Sequence, residues 1–463
     1  MRRLLIAMAI LAGSTAQALE FGPGWNASIP CRSDSTQTYT LYLPSAYATD
    51  RTWPVLLVFD PRGRSRFAAE IFSDAAEKFG WILVSSNNTQ SDGPWEPNAR
   101  ALRALWPEVH ARFAADPKRI YAAGFSGGAI VAWYLAQFAT PPLAGIIACG
   151  GRPADEIPTD TIRFAHFGAA GETDFNYSEM KLLDAVVANR GMPHQFRAFE
   201  GGHAWMPHEL AAEAVEWMDV LAMRSGLRPV DAEVVTAALA RNMSRASTLA
   251  AGGKELEALR CYEMIATTWD GLLDLSSVRE AVNALAKSSA VATQREGERR
   301  ADVFEEQAKA RLAAPLGRLE EGVAYELWQD IAEEMDLRAL KRQAEAATPE
   351  GGAARRVLAW AFGRTHFYIP REQMSRPVAR ATALRIAAEI RPHDAEVWRR
   401  LAIALALCGK EEEACTAIRR AVDAGYRDLA ALERDKDLDR ALARKDCAAT
   451  IARLKASAPS APR

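Results

Sequence analysis

The 463-residue chain holds little cysteine, little histidine and no surplus of either charge. Six cysteines are too sparse for a cystine scaffold, and no C-x-x-C pair or close His/Cys cluster offers a zinc site. Lysine and arginine number 57 against 59 aspartates and glutamates, a formal net charge of -2. That balance gives no basic field for nucleic acid and no polybasic membrane signal. Beyond the N-terminus, no segment reaches the roughly 18 uninterrupted apolar residues of a membrane helix. No metal, organic cofactor, nucleic acid or membrane span is expected.

The N-terminus has the three parts of an export signal. Met1-Arg2-Arg3 is a positive start, "LLIAMAILAG" is an apolar stretch too short to span a bilayer, and Ala16-Gln17-Ala18 is an A-x-A cleavage site. Residues 1–18 are therefore expected to be removed, leaving a secreted or periplasmic protein. In such a compartment disulfides are permitted. Cys408 and Cys415 flank an expected helix turn and could pair, although connectivity is not readable from sequence.

Two halves follow with different periods. Up to residue 225, apolar runs at 39–44, 55–60, 81–86, 119–125, 144–150, 163–168 and 194–200 alternate with helical stretches such as 98–115 and 209–223. Continuous apolar runs, rather than strict alternation, suit strands buried on both faces of a mostly parallel sheet. The order predicts an α/β sheet with flanking helices over 19–225. "RSGLRPVD" at 224–231 reads as a linker with few contacts crossing it, and an all-α, helical-repeat-like domain is expected over 226–463. Its clearest unit is 394–426, where Trp398, Leu401, Leu405, Gly409, Ala414, Ile418 and Ala421 fall at the packing positions of a tetratricopeptide helix pair. Residues 250–269 repeat that spacing more loosely. Plain helical packing without repeat identity is the alternative.

One pentapeptide carries chemistry. Gly124-Phe125-Ser126-Gly127-Gly128 matches G-x-S-x-G. A chain of this length shows that pattern by chance in about one case in ten, so context decides. Here an apolar strand precedes Ser126 and a helical stretch follows, which is the strand–turn–helix setting of a nucleophile elbow. The Gly127 N–H, at the helix start, can donate to a developing oxyanion. A serine needs a base, and the base an orienting acid. After the nucleophile, "GETD" follows one strand and "GGHAW" the next, which makes His203 the candidate base. Asp174 is the candidate acid, with Glu172 two residues away as its competitor. A second oxyanion donor belongs in the loop "VFDPRGR" (58–64). Pro61 has no N–H, which leaves Arg62, or else Gly63. The segment 85–98 is expected to line the pocket.

"YTLYLP", "GFSGG", the Gly-x-x-Asp of "GETD" and "GGHAW" together resemble the secreted esterase branch of the α/β-hydrolases. That branch includes polyhydroxybutyrate-depolymerase-like and feruloyl-esterase-like enzymes. The resemblance covers residues 37–224. It implies Ser126 as nucleophile, Asp174 as acid, His203 as base, and an α/β-hydrolase sheet as the fold. One departure stands out: the family has His-Gly after its third strand, and this chain has Asp60-Pro61. The implied activity is hydrolysis of a small-molecule or polymer-derived ester. The helical half lies outside the resemblance, and a protein partner is a separate expectation for it. A serine peptidase and a non-catalytic interaction protein are the alternatives.

Overall fold

The computed structural model describes residues 21–91, 93–158, 162–323 and 328–457. The expected export signal, 1–18, lies outside them. The strands are β1 (Gly24–Pro30), β2 (Thr38–Leu43), β3 (Trp53–Phe59), β4 (Ile82–Ser86), β5 (Ala115–Phe125), β6 (Gly145–Cys149), β7 (Ala165–Gly171) and β8 (His194–Phe199). They form one sheet in the order β1-β2-β4-β3-β5-β6-β7-β8. β2 runs antiparallel to both its neighbours, and all pairs from β4 to β8 are parallel. This is an α/β-hydrolase sheet.

Its helices are α1 (Ser65–Phe79), α2 (Glu96–Arg112), α3 (Gly127–Phe138), α4 (Tyr177–Asn189) and α5 (His208–Arg224). They cover both faces, so β3, β4, β6 and β7 are buried at every position. That double burial is why those strands read as unbroken apolar runs. Two apolar cores result. One joins β-sheet residues such as Leu57 and Ile146 to Trp133 and Leu135 of α3. The other joins Leu56 and Ile147 to Phe72 of α1 and Trp217 of α5. β1 was not expected. It is an edge strand with one buried residue, so it carries no apolar run to read.

Beyond β8 the described residues contain helices and no strand. They are α6 (Ala232–Ala251), α7 (Glu255–Thr268), α8 (Ser276–Ala286), α9 (Ser289–Glu320), α10 (Trp328–Glu334), α11 (Leu337–Ala344) and α12 (Pro349–Gly363). A π-helical turn, Arg364–Tyr368, leads into α13 (Ile369–Glu372) and α14 (Pro377–Ile390). Then come α15 (Ala395–Leu407), α16 (Glu411–Asp423), α17 (Leu429–Arg434), α18 (Asp439–Leu442) and α19 (Lys445–Ser457). The helix pair expected at 394–426 is α15 and α16. Leu401, Leu405, Ala414, Ile418 and Ala421 are buried there, and Gly409 takes φ +69° in the turn. None of the described helices is long and apolar enough to cross a membrane.

Two expectations need correction. Cys415 is bonded to Cys447 of α19, with Cα atoms 5.5 Å apart, and Cys408 is free. α19 packs back on α16, which brings a cysteine remote in sequence nearer than the one a turn away. The contacts across 224–231 are also not few. Val220 and Met223 of α5 share a core with Val235, Ala238, Ile265 and Trp269. Trp217 Nε1 donates to Thr268 Oγ1 at 2.9 Å, and Arg245 pairs with Glu213 at 2.7 Å. The far face of α5 was apolar for this reason.

Candidate active site

Ser126 stands between the end of β5 and the first turn of α3. Its backbone has φ 52° and ψ -123°, a region that costs a non-glycine residue about 1–3 kcal/mol. The surroundings impose it. The Ser126 N–H donates to the Cys149 carbonyl at 2.9 Å, and its own carbonyl accepts from Ala129 N–H at 2.9 Å. Gly124 and Gly128 make the turn passable. A Cβ at Gly124 would fall 2.2 Å from the Gly128 oxygen, and one at Gly128 would fall 2.0 Å from the Phe59 oxygen. Neither obstacle can move, since both are backbone.

The loops after β7 and β8 bring the other two groups to this turn. His203 Nε2 lies 2.8 Å from Ser126 Oγ. His203 Nδ1 lies 3.0 Å from each oxygen of Asp174. The Asp174 side chain is fully buried while His203 keeps about a quarter of its surface exposed, at 0% and 23%. Asp174 Oδ1 also accepts the Asn176 N–H at 2.8 Å, and Asn176 Nδ2 donates to the Gly150 carbonyl at 2.7 Å. The carboxylate thus has fixed donors on two sides. Glu172, its competitor in the sequence, is exposed. The His203 ring packs between aromatic neighbours, with centroids 4.6 Å from Phe125 and 4.2 Å from Phe175. An imidazole so held can accept a hydroxyl proton at Nε2 while Nδ1–H stays on the carboxylate.

The oxyanion side differs from expectation. Gly127 opens α3, where first-turn N–H groups have no intrahelical acceptor. Arg62, however, donates its N–H to Asp60 Oδ1 at 2.8 Å. Arg62 is therefore removed as the second donor, because the Asp60 carboxylate takes its N–H. Gly63 donates its own N–H to the Asp60 carbonyl at 3.2 Å.

In the sequence Asp60 stands out only as a departure from the resembled pattern. The structure makes it an organiser. Its buried carboxylate accepts from Arg64 Nε at 3.0 Å, Arg64 Nη2 at 2.9 Å and the indole Nε1 of Trp205 at 2.9 Å. Trp205 is two residues from His203, so Asp60 ties the loop after β3 to the loop of the histidine. Burial alone would raise the Asp60 pKa, but Arg64, Trp205 and the Arg62 N–H outweigh it and hold it below the usual range. The signal available in sequence was a single acid placed between an apolar strand and two arginines.

The segment 85–98 does reach the turn: a Cβ at Gly127 would lie 2.4 Å from Ser91 Cβ. The Ser91 N–H donates to the Pro61 carbonyl at 2.7 Å, which fastens this segment to the loop after β3. His166 lies inside β7, fully buried against Trp133 at 5.4 Å, and burial lowers its pKa to about 4. It takes no part in the site. Among the described residues, no group of three or more His, Cys, Asp or Glu is arranged to hold a metal ion.

No protein-family model matches this chain, and no curated protein does. Solved structures are similar to part of it. A ferulic acid esterase aligns at 18% identity and TM-score 0.35, over 42% of this chain and 98% of that one. The S-formylglutathione hydrolase FrmB from Staphylococcus aureus aligns at 14% and TM-score 0.36, over 44% of this chain and 99% of that one. Esterase 2 of Thermogutta terrifontis gives 14% and TM-score 0.36, over 45% and 96%.

Proposed function

We propose that this chain is an exported serine hydrolase that cleaves carboxylic esters. One observation carries the reading: a strained Ser126 whose Oγ faces His203 Nε2 at 2.8 Å, with Asp174 behind the ring at 3.0 Å. In this mechanism Ser126 Oγ attacks the ester carbonyl as His203 Nε2 takes its proton. The Gly127 N–H donates to the tetrahedral oxyanion. His203 then hands the proton to the departing alcohol, leaving an acyl group on Ser126. Water, deprotonated by the same imidazole, releases the acid and restores the serine. Asp174 holds the imidazole in the tautomer with hydrogen on Nδ1.

The preference for esters over amides is supported by the motif resemblance, and export by the charged, apolar and A-x-A segments of residues 1–18. On this reading residues 19–225 are the catalytic unit and 226–463 a tetratricopeptide-like helical unit. The commitment of the Arg62 N–H to Asp60 favours a second reading, in which turnover is lost and the helical half is the working part. A fluorophosphonate probe separates the two. Labelling of the wild type and not of Ser126→Ala, with hydrolysis of short p-nitrophenyl esters by the wild type alone, supports the enzyme. An unlabelled wild type, or an active Ser126→Ala, refutes it.

A further inference from the structure

The loop that carries Asp174 runs directly into α4, and α4 is held by the helical half of the chain. Phe175, the residue after Asp174, packs on the His203 ring at 4.2 Å with planes 35° apart. The Phe175 ring also faces Gly363, the last residue of α12. A Cβ built at Gly363 would lie 3.7 Å from Phe175 Cδ1 and 3.8 Å from Cε1. Phe175 therefore stands between the imidazole and the end of a helix far along the chain.

The first turn of α4 is fastened to the same region. The Arg356 guanidinium of α12 lies 4.6 Å over the Tyr177 ring, and its Nε donates to Glu305 Oε2 of α9 at 2.8 Å. Ser178 Oγ donates to the other oxygen of Glu305, and Lys309 Nζ pairs with it at 2.9 Å. Glu305 is 3% exposed. Burial alone would raise its pKa, yet Arg356, Lys309 and Ser178 outweigh that and hold it below the usual range. It stays ionised, and a buried ionised group that loses one partner is strongly destabilised. Lys181 adds an exposed pair to Asp302 at 3.0 Å. Helix ends normally fray. This one is pinned.

We propose that α9 and α12 clamp the base: through α4 and Phe175 they hold the His203 imidazole against Asp174 and in line with Ser126. This rests on the reading of those three residues given above. Phe175 is the positioning residue, and Gly363 is the helix position that leaves it room. Alanine at 363 would meet Phe175 at ordinary van der Waals distance. Leucine would not, because its further carbons enter the volume of the ring.

The test compares Gly363→Leu, Phe175→Ala and Phe175→Leu with wild type, all as full chains. Two readouts are needed: ester hydrolysis, and the low-field proton signal of the His203 Nδ1–H hydrogen bond to Asp174. A misplacement of about 1 Å costs about 10²-fold, so Gly363→Leu and Phe175→Ala should lose about that much kcat with KM within about twofold. Both should also lose the low-field signal. Phe175→Leu, which keeps bulk against the ring, should recover most of the rate and the signal. Wild-type kcat and signal in both damaged variants overturn the clamp. If Gly363→Leu fails to fold, the two Phe175 variants decide. A wild type that hydrolyses no ester refutes the proposed function but not the clamp, because the proton signal reads the imidazole without turnover. Absence of that signal from the wild type overturns the clamp itself.

Discussion

Replacing Asp174 with asparagine changes one atom's chemistry and almost nothing of its shape. The side chain is fully buried, with Oδ1 accepting the Asn176 N–H at 2.8 Å. An asparagine keeps that acceptor on the Asn176 side, which aims its NH₂ at His203 Nδ1. The imidazole must then accept at Nδ1 and carry its proton on Nε2. That proton points at Ser126 Oγ, 2.8 Å away, and the ring can no longer take the serine's hydrogen. The expected loss in kcat is up to about 10⁴-fold, or about 5.4 kcal/mol of barrier at 1.36 kcal/mol per tenfold. The fold should survive, because volume is unchanged and each hydrogen bond has a neutral replacement, a difference of about 1 kcal/mol. Glu172→Gln is the companion variant: its side chain is exposed, and its activity should match wild type. Both are assayed on one p-nitrophenyl ester at pH 8 after circular dichroism shows them folded. A crippled Glu172→Gln beside an active Asp174→Asn would refute the assignment of the acid.

Three further outcomes follow from particular contacts. Asp60→Asn should lower stability at pH 7 by about 2 kcal/mol, since charged hydrogen bonds are lost while the partly exposed Arg64 is screened. The native Asp60 pKa is depressed, so its contribution is complete above the unfolded value of about 3.9 and fades as pH falls through the native one. Urea unfolding should accordingly show the gap to wild type closing below pH 4, and a gap that widens there contradicts the sign. Reducing Cys415–Cys447, 32 residues apart, should cost about 3–4 kcal/mol on the loop-entropy account, read by hydrogen exchange of α16 and α19. Unchanged protection of both helices after reduction would count against it. A chain ending at residue 226 should be insoluble, because it uncovers Trp217, Val220 and Met223, all under 5% exposed in the full chain; a soluble, active fragment would show that α5 does not need its cover.

The strands β2 to β8 were legible in the sequence by itself. β3, β4, β6 and β7 read as apolar runs because a strand buried on both faces must be apolar at successive positions, whereas the edge strand β8 has one buried residue and was read without that signal. The sequence also determined the turn at Ser126, where glycines are the only residues that allow β5 and α3 to approach so closely. The positions of Asp174 and His203 were legible for a related reason: consecutive parallel strands deliver the loops that follow them to one edge of the sheet. Everything that depended on distant residues meeting was decided by the tertiary structure. Asp60 and Trp205 are 145 residues apart, and Ser178 and Glu305 are 127 apart. No local pattern encodes such a pair, so neither the tie from Asp60 to the Trp205 indole nor the seat of α4 on α9 could be read. The edge strand β1 and the bond from Cys415 to Cys447 escaped in the same way. A half-exposed strand is specified by its neighbour's register, and a disulfide by which helices pack back on one another. Local periodicity reports which face of an element is buried; what buries it is known only once the chain has closed on itself.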